Sequence, residues 1–188
     1  MVKMVNKQII ATAIAEAERT TSAEIVAVVS PASDPYQNYI LLYGLMLGSL
    51  VAFGLWAGKI IGDFPLLLAV QLGITALLSL LPWLHKPLLR LVPKHIRHHR
   101  AAHRAFEEYL LISRHVPAAT PILLFYVSLA ERYVHILPSR LVREKIPDKE
   151  WEAVVTEFTA SMKSDGLEQA CVSAISRMAT MLAPYFPR

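Results

Sequence analysis

The alternation of apolar and polar positions is interrupted by two long apolar runs. Residues 35–58 and 64–84 contain no Asp, Glu, Lys, Arg or His. Each run exceeds the roughly 18 residues that indicate a membrane-spanning helix. A helix in a soluble core normally keeps a stripe of charged side chains, and these runs carry no charged residue. The pattern therefore predicts a transmembrane helical hairpin at 38–85, with its two helices at 38–58 and 64–84.

The orientation of this hairpin follows from the charges that flank it. The break at 59–63 is too short for a domain and carries one cation and one anion. After the second run comes a basic patch with no acid before Glu107: Lys86, Arg90, Lys94, Arg97, Arg100 and Arg104. The positive-inside bias predicts that this patch and both termini lie in the cytoplasm. Aromatic side chains that favour membrane interfaces stand near both ends of the runs: Tyr36, Tyr39, Trp56 and Trp83.

Before the hairpin, the pattern predicts a helix after Asn6 and then a strand at Glu24–Ser30, which is rich in β-branched residues. The strand is apolar on both faces, and one helix cannot bury both of them. Its partners must follow the hairpin. We therefore predict one α/β domain that is split into residues 1–37 and 86–188.

The segment after the hairpin supplies those partners. Strands are predicted at 122–129 and 133–137, and the three residues between them predict an antiparallel pair. A helix is predicted over 93–114, with an apolar face made of Ala102, Phe106, Tyr109 and Leu110. Two amphipathic helices follow, the second of them starting at a capping box over 165–168. The order predicts a small αβα sandwich with three to four strands, interrupted by the hairpin.

Composition agrees with an integral membrane protein that has one soluble domain. The chain has 188 residues, of which 54% are hydrophobic, and a formal net charge of +4. Because the basic patch alone carries six cations, the remainder is slightly acidic. A basic patch beside a membrane predicts contact with anionic lipid head groups. Nucleic-acid binding is not expected, since aromatic residues are not interleaved with the cations over a folded face.

A stripe of histidines is the sharpest candidate for metal binding. His95, His99 and His103 precede Glu107 at four-residue intervals, and histidines at this spacing on a helix can share a zinc ion. Each four-residue step turns by about 40° on an α-helix, so only adjacent pairs can meet one ion. The alternative is a basic helix that rests on lipid phosphates. We expect no cofactor, with a divalent cation as the alternative.

The residues alone do not define a catalytic set. Ser139, His135 and Asp148 are the residue types of a hydrolytic triad, but their spacing is not diagnostic. The chain has no Gly-rich phosphate loop, no pair of cysteines and no zinc-protease motif. Its one cysteine, Cys171, excludes an intramolecular disulfide and is expected to lie in the core.

Two segments, 21–29 and 127–136, resemble the TPM domain family, and the stretches at 146–151 and 166–167 are similar to it as well. The family includes a phosphatase-like protein and a receptor accessory protein, and one subgroup carries a membrane hairpin inside the domain. The resemblance implies a TPM-like fold with candidate site positions at Glu24, Glu131, Ser139 and Arg140. Where the family has Ala-Asp-Arg-Gly, this chain has Pro-Ser-Arg-Leu at 138–141. A hydroxyl thus replaces a carboxylate, and it is the poorer ligand for a divalent cation.

We therefore predict a membrane-anchored, TPM-like domain that acts as a non-catalytic interaction or assembly module for an unidentified membrane protein. The alternative is a membrane-tethered, metal-dependent phosphatase or hydrolase. The replaced carboxylate favours the first function, and the expected location is a bacterial inner membrane. Gly44 and Gly48 have a spacing that lets helices approach closely, either in a homo-oligomer or within the hairpin itself.

Overall fold

The computed structural model describes residues 7–81, 89, 91–117 and 119–188. The chain divides into two compact units, one made of Met1–Ser33 with His98–Arg188 and the other of Asp34–Arg97. The predictions that concern Asn6, Trp83, Lys86 and Arg90 lie outside the described residues.

The described elements follow the predicted order of helices and strands. They are α1 (Lys7–Ala17), β1 (Glu24–Ser30), α2 (Gln37–Ala57), α3 (Phe64–Leu80), α4 (Lys94–Ser113), β2 (Ile122–Ser128), β3 (Tyr133–Pro138), α5 (Arg140–Arg143), α6 (Asp148–Ser164) and α7 (Leu167–Leu182).

In the helical unit, α2 and α3 pack against each other along a seam of small residues. A Cβ atom added to Gly44 would lie 3.1 Å from the Cα of Thr75, and one added to Gly48 would lie 2.7 Å from the carbonyl oxygen of Gln71. The side-chain amide of Gln71 also donates to the hydroxyl of Ser49 at 2.9 Å. The glycine spacing therefore packs the hairpin against itself, which is the second of the two predicted alternatives.

By length and composition, α2 is long and apolar enough to cross a membrane, and it is the one described helix that meets both criteria. Helix α3 is also apolar, but its described length is 17 residues. Helix α3 ends at Leu80, since the backbone of Leu81 is extended, so the predicted continuation of the helix through Leu81 is wrong, and residues 82–84 lie outside the described part. A membrane-spanning role for the hairpin therefore stays a prediction.

In the other unit, the three strands form one sheet in the order β1-β2-β3. Strand β1 runs parallel to β2, with Glu24 opposite Ile122 and Ser30 opposite Ser128. Strand β2 runs antiparallel to β3, which confirms the predicted antiparallel pair. The central strand β2 is buried along its whole length, as its unbroken apolar sequence predicts. The strand before the hairpin thus pairs with a strand after it.

Helices cover both faces of this sheet, so the unit is a mixed α/β fold of three layers. On one face, residues of α1, α6 and α7 pack on Ile25, Leu123 and Phe125, and the ring of Phe158 meets that of Phe125 edge-on at 5.2 Å. On the other face, Ala105 of α4 packs on Leu124 and Tyr126. The mixed α/β class and the helices on both faces agree with the prediction.

The predicted apolar face of α4 is wrong in part: Tyr109 packs against the core as predicted, but other residues make the closest contact. Ala101 and Ala105 are fully buried, whereas Phe106 is 51% exposed and Leu110 is also exposed. Alanines one turn apart let a helix backbone approach a sheet closely, and a phenylalanine at the same place would hold it away. Pattern matching favoured the larger apolar residues, but close packing selected the small ones.

The predicted capping box before α7 is also wrong. Gly166 is the N-cap residue of α7, at φ +87°, a conformation that glycine adopts far more readily than other residues. Asp165 ends α6 instead, and its carboxylate accepts a hydrogen bond from the hydroxyl of Ser164 at 2.9 Å. Backbone geometry, rather than a side-chain cap, therefore starts the last helix.

Candidate functional site

A cluster of polar side chains lies where the two parallel strands end. Ser30 and Ser128 are the last residues of β1 and β2 and stand opposite each other. Just beyond them are Ser33 and the carboxylate of Glu131, a residue that is only 2% exposed. The carboxyl ends of parallel strands are the common location of functional side chains in α/β folds. We call Ser33, Tyr126, Ser128 and Glu131 the strand-end cluster.

The strand-end cluster forms one chain of hydrogen bonds, in which every donor points toward the carboxylate of Glu131. The backbone N–H of Ser33 donates to the two carboxylate oxygens of Glu131, at 3.1 and 3.2 Å. The hydroxyl of Ser128 donates to the same carboxylate. The hydroxyl of Ser33 donates to that of Ser128 at 2.8 Å. Because each hydroxyl has one proton, the hydroxyl of Tyr126 must be the donor in its 2.9 Å contact with the hydroxyl of Ser33. The chain of donors ends on a negative charge.

This arrangement suits a positioning role better than a catalytic one. Charge-assisted hydrogen bonds of this kind are stronger than neutral ones, and buried networks of them restrict conformation. A backbone bond from the Ala130 N–H to the Pro31 carbonyl, 3.0 Å long, joins the same two loops. The strand-end cluster therefore holds the segment after β1 to the turn after β2.

The four candidate positions that the TPM resemblance implied lie at opposite ends of the sheet. Glu24 is exposed at the start of β1. The hydroxyl of Ser139 accepts the backbone N–H of Ile122 at 3.1 Å, so it lies at the same end as Glu24. Arg140 follows it and pairs with Glu144 at 3.5 Å. Glu131 lies beyond the other end of β2, about 20 Å away at the usual rise per residue in a strand. These positions therefore do not form one site.

The residue types of a hydrolytic triad are also kept apart. Ser139 lines a cavity of about 310 Å³ beside Tyr109 and Ser113. His135 and Asp148 line a different cavity of about 560 Å³. The hydroxyl of Ser139 is engaged by a backbone N–H, and a nucleophilic serine would instead need the histidine within hydrogen-bonding reach.

The larger of these cavities is a groove between the outer edge of β3 and helix α6. Its β3 side includes Val134 and Ile136, and its α6 side includes Trp151 and Val155. Trp151 is 4% exposed, and its indole N–H has no hydrogen-bond acceptor among the described residues. We call this feature the β3 edge groove.

Burial lowers the pKa of His135, which lines the β3 edge groove, and the positive charge of nearby Arg143 lowers this pKa further. Arg143 itself lies 3.7 Å from the carboxylate of Asp148. The imidazole is therefore held in its neutral form to a lower pH than a free histidine is. In that form it can both donate and accept a hydrogen bond.

The lowered pKa predicts that part of the stability is lost in mild acid. Above the ordinary histidine pKa of about 6.5, both folded and unfolded states hold His135 neutral, so stability is full. As the pH falls below this value, the unfolded chain binds a proton that the folded chain does not, and stability decreases. Thermal unfolding from pH 8 to 5 should show a smaller loss for His135→Gln than for the wild type. Arg143→Gln should lie between them, and identical curves for all three proteins would contradict this prediction.

The predicted metal ligands lie along one helix without converging. His95, His99 and His103 are exposed on α4. The ring of His103 lies 3.3 Å from the carboxylate of Glu107. Among the described residues, no three His, Cys, Asp or Glu side chains are placed to hold a metal ion. The rotation of each helical step accounts for this, and a metal site here gains no support from the geometry.

The basic patch is partly neutralised where it is described. Lys94 and Arg104 are exposed, while Arg97 and Arg100 are half-buried. The guanidinium of Arg104 contacts the carboxylates of Glu107 at 3.2 Å and Glu108 at 2.8 Å. The remaining two members, Lys86 and Arg90, lie outside the described residues.

Sequence reasoning missed Ser33, Tyr126, Ser128 and Trp151. One signal was available for the serines, since Ser30 and Ser128 each end an apolar run and can mark where two strands finish. That these ends meet depends on the parallel register of β1 and β2, which no local pattern contains.

No protein-family model matches the chain, and no curated protein matches it. Its fold is similar to the NMR structure of BA42 protein from the psychrophilic bacterium Bizionia argentinensis. The two chains are 15% identical, the alignment covers 100% of this chain and 87% of the other, and the TM-score is 0.57. At this identity, the likeness shows a shared mixed α/β fold and nothing about activity.

Proposed function

We propose that the protein is a membrane-anchored, TPM-like domain that acts as a non-catalytic interaction or assembly module for membrane proteins. The observation that carries this proposal is the outward surface of the α2–α3 hairpin. Leu50 is 68% exposed and Phe64 is 74% exposed, and only 17% of the most apolar window of α2 is buried. A core helix of a soluble protein would be mostly buried. The hydrocarbon of a bilayer would cover this surface.

The exposed surface of α4 supports contact with the membrane surface. Phe106 and Leu110 are exposed on a helix that also exposes Lys94. Helices that combine apolar and basic side chains in this way bind at the interface of bilayers with anionic lipids. Together with the positive-inside bias, this supports a cytoplasmic location for both termini, and we propose a bacterial inner membrane as the location.

The state of the family-site residues favours binding over catalysis. The carboxylate of Glu131 and the hydroxyl of Ser139 are both engaged in hydrogen bonds that hold loops and strand ends together. A metal-dependent phosphatase needs several oxygen or nitrogen ligands that converge on an ion. No such set is brought together in the part of the chain that the structure describes. We therefore do not propose the phosphatase alternative.

Membrane fractionation and purification test this proposal. The full-length tagged protein should stay in the membrane pellet after carbonate extraction. Purified in mild detergent, it should bring down the same membrane protein in repeated preparations. An unrelated tagged protein with two membrane spans, expressed at the same level, is the control. Release by carbonate, or the absence of any reproducible membrane partner beyond the control, would contradict the proposal.

A further inference from the structure

We infer that the outer edge of β3 binds an extended segment of a partner protein as a fourth strand, with an apolar side chain of that segment in the β3 edge groove. The inference rests on the proposed function as an interaction module, and names the surface and the chemistry of what it binds. Adding a strand to a sheet edge is a recurrent mode of peptide recognition, in which the main chain gives affinity and side-chain pockets give specificity.

The first support comes from the backbone of β3. The N–H of Ser139 donates to the carbonyl of Ile122 at 2.8 Å, directly after the last pair of the β2–β3 ladder. Hydrogen-bonded pairs alternate along an antiparallel ladder, so the bonding residues of β3 are every second one back from Ser139. The N–H and C=O groups of Val134 and Ile136 therefore point away from β2. In the described part of the chain, β3 is an edge strand and no further strand takes these groups.

The second support is the buried indole of Trp151. The β3 edge groove has a volume of about 560 Å³, enough for a side chain of the incoming segment. Its apolar lining includes Val134, Ile136 and Val155. Trp151 also lines the groove, and its indole N–H is buried away from solvent without an acceptor among the described residues. A buried donor without an acceptor is costly, so a small shift of the indole that brings its N–H to an oxygen of a bound segment would favour binding.

The third support is charge, which selects the kind of segment. Asp148 and Glu152 stand one turn apart on α6, and both line the groove. Asp148 is paired with Arg143, whereas Glu152 has no cationic partner among the described residues. A basic residue in the segment would complement Glu152. A second copy of this chain is less suitable, because a symmetric edge-to-edge pair would bring the same unpaired acid from both sides.

Defined peptides test the inference on the full-length protein in nanodiscs of neutral lipid. The probe is a pool of peptides of about ten residues in which valine or leucine alternates with threonine or lysine. The control pool has the same sequences, methylated on every second backbone nitrogen. We expect the first pool alone to bind, and the indole ¹H–¹⁵N signal of Trp151 to shift on binding. Equal binding of the methylated pool would overturn the inference.

Three substitutions locate the contact. Val134→Pro removes an outward N–H and no bond to β2, and proline is tolerated at such edge positions. It should weaken binding by tenfold or more. Trp151→Phe should weaken it about tenfold, the factor that one hydrogen bond of average strength supplies. Glu152→Lys should weaken binding of the lysine-containing peptides, while Glu150→Lys, exposed on the same helix but outside the groove, should not.

Each remaining outcome has a definite meaning. Far-ultraviolet circular dichroism shows whether each variant folds, and unchanged affinity in folded Val134→Pro and Trp151→Phe would overturn the inference. Dimers of the wild type that Val134→Pro dissociates would mean that a second copy occupies the edge, again against the inference. A membrane partner that co-purifies equally with wild type and with these variants would leave the proposed function standing and remove the β3 edge from it.

Discussion

Replacing Glu131 by alanine is expected to lower the free energy of unfolding of the α/β unit by about 3 kcal/mol, because the substitution leaves a buried hydroxyl and a part-buried backbone N–H without their acceptor. The backbone N–H of Ser33 and the hydroxyl of Ser128 both donate to this carboxylate. The hydroxyl of Ser128 is as buried as Glu131 and has little access to water, whereas the N–H of Ser33 is only part-buried. Without the carboxylate, the direction in which the hydroxyl groups of Ser33 and Tyr126 donate their hydrogen bonds would no longer be fixed.

The rate at which a thiol reagent labels Cys171 measures this loss of stability. Cys171 is the single cysteine of the chain and is buried in α7, where burial raises its pKa to about 11. The thiolate is the reactive form, so the folded protein should react slowly with thiol reagents at neutral pH. Labelling of Cys171 then occurs when the folded protein opens transiently, and its rate reports how often this happens. A loss of about 3 kcal/mol should speed it by more than a hundredfold, since each 1.4 kcal/mol is a factor of ten.

Two variants serve as controls for Glu131→Ala. Glu131→Gln keeps the shape and one acceptor oxygen, so its loss should be smaller than that of alanine. Glu144→Ala removes an exposed carboxylate that pairs only with exposed Arg140, and it should change stability by no more than about 0.5 kcal/mol. A labelling rate in Glu131→Ala equal to that of the wild type would show that the strand-end cluster does not stabilise the fold.

Replacing Gly48 by leucine is expected to separate α2 from α3. A Cβ atom at this position would lie 2.7 Å from the backbone oxygen of Gln71, and a backbone atom cannot turn aside as a side chain can. Forcing extra atoms into a packed contact typically costs about 1–3 kcal/mol. In a Cys171→Ala background, a short bis-maleimide should join Ser49→Cys to Gln71→Cys efficiently, and Gly48→Leu should largely abolish this crosslink.

Gly54 provides the matched control on the same helix. No atom of the described residues lies within 4 Å of a Cβ added there, so Gly54→Leu should leave the crosslink at the level of the parent protein. If both glycine variants crosslink equally well, α2 and α3 are not held together along the seam that contains Gly48. If both lose the crosslink, bulk on α2 and not the close contact is the cause.

Much of the local structure was predictable from the chain. The three strands lie where apolar, β-branched runs predicted them, because such runs have the two-residue period or continuous burial of a strand. The short link between β2 and β3 predicted their antiparallel pairing, since so few residues permit little else. The amphipathic period also predicted a helix at α6, whose buried residues are Trp151, Val154 and Phe158.

Where local pattern and packing disagreed, packing decided. Phe106 was predicted to be buried, but the sheet accepts the small side chains of Ala101 and Ala105 on α4. The start of α7 depends on the positive φ of Gly166 and not on the acidic residues around it. In both cases the deciding quantity is the space or the backbone angle available at a site, which residue spacing does not contain.

In the candidate site too, the sequence identified single residues, and only the fold showed which residues lie together. Glu131 was singled out from the sequence by resemblance, but its donors were not, because Ser33 lies 98 residues away along the chain. Ser139, in contrast, was grouped with His135 and Asp148 by residue type, and the fold gives it a different cavity. Chemistry-bearing residues can be recognised one at a time, but their grouping requires the fold.

The amino-acid sequence by itself determined the apolar hairpin, the strands, the helices and the mixed α/β class, because these follow from periodicity over a few neighbouring residues. The tertiary structure alone decided the parallel register of β1 with β2, the strand-end cluster and the β3 edge groove. The physical reason is that register and groove shape depend on pairing and packing between segments far apart along the chain. These pairing and packing interactions depend on how the surfaces of several segments fit together, and the sequence of one segment does not specify that fit.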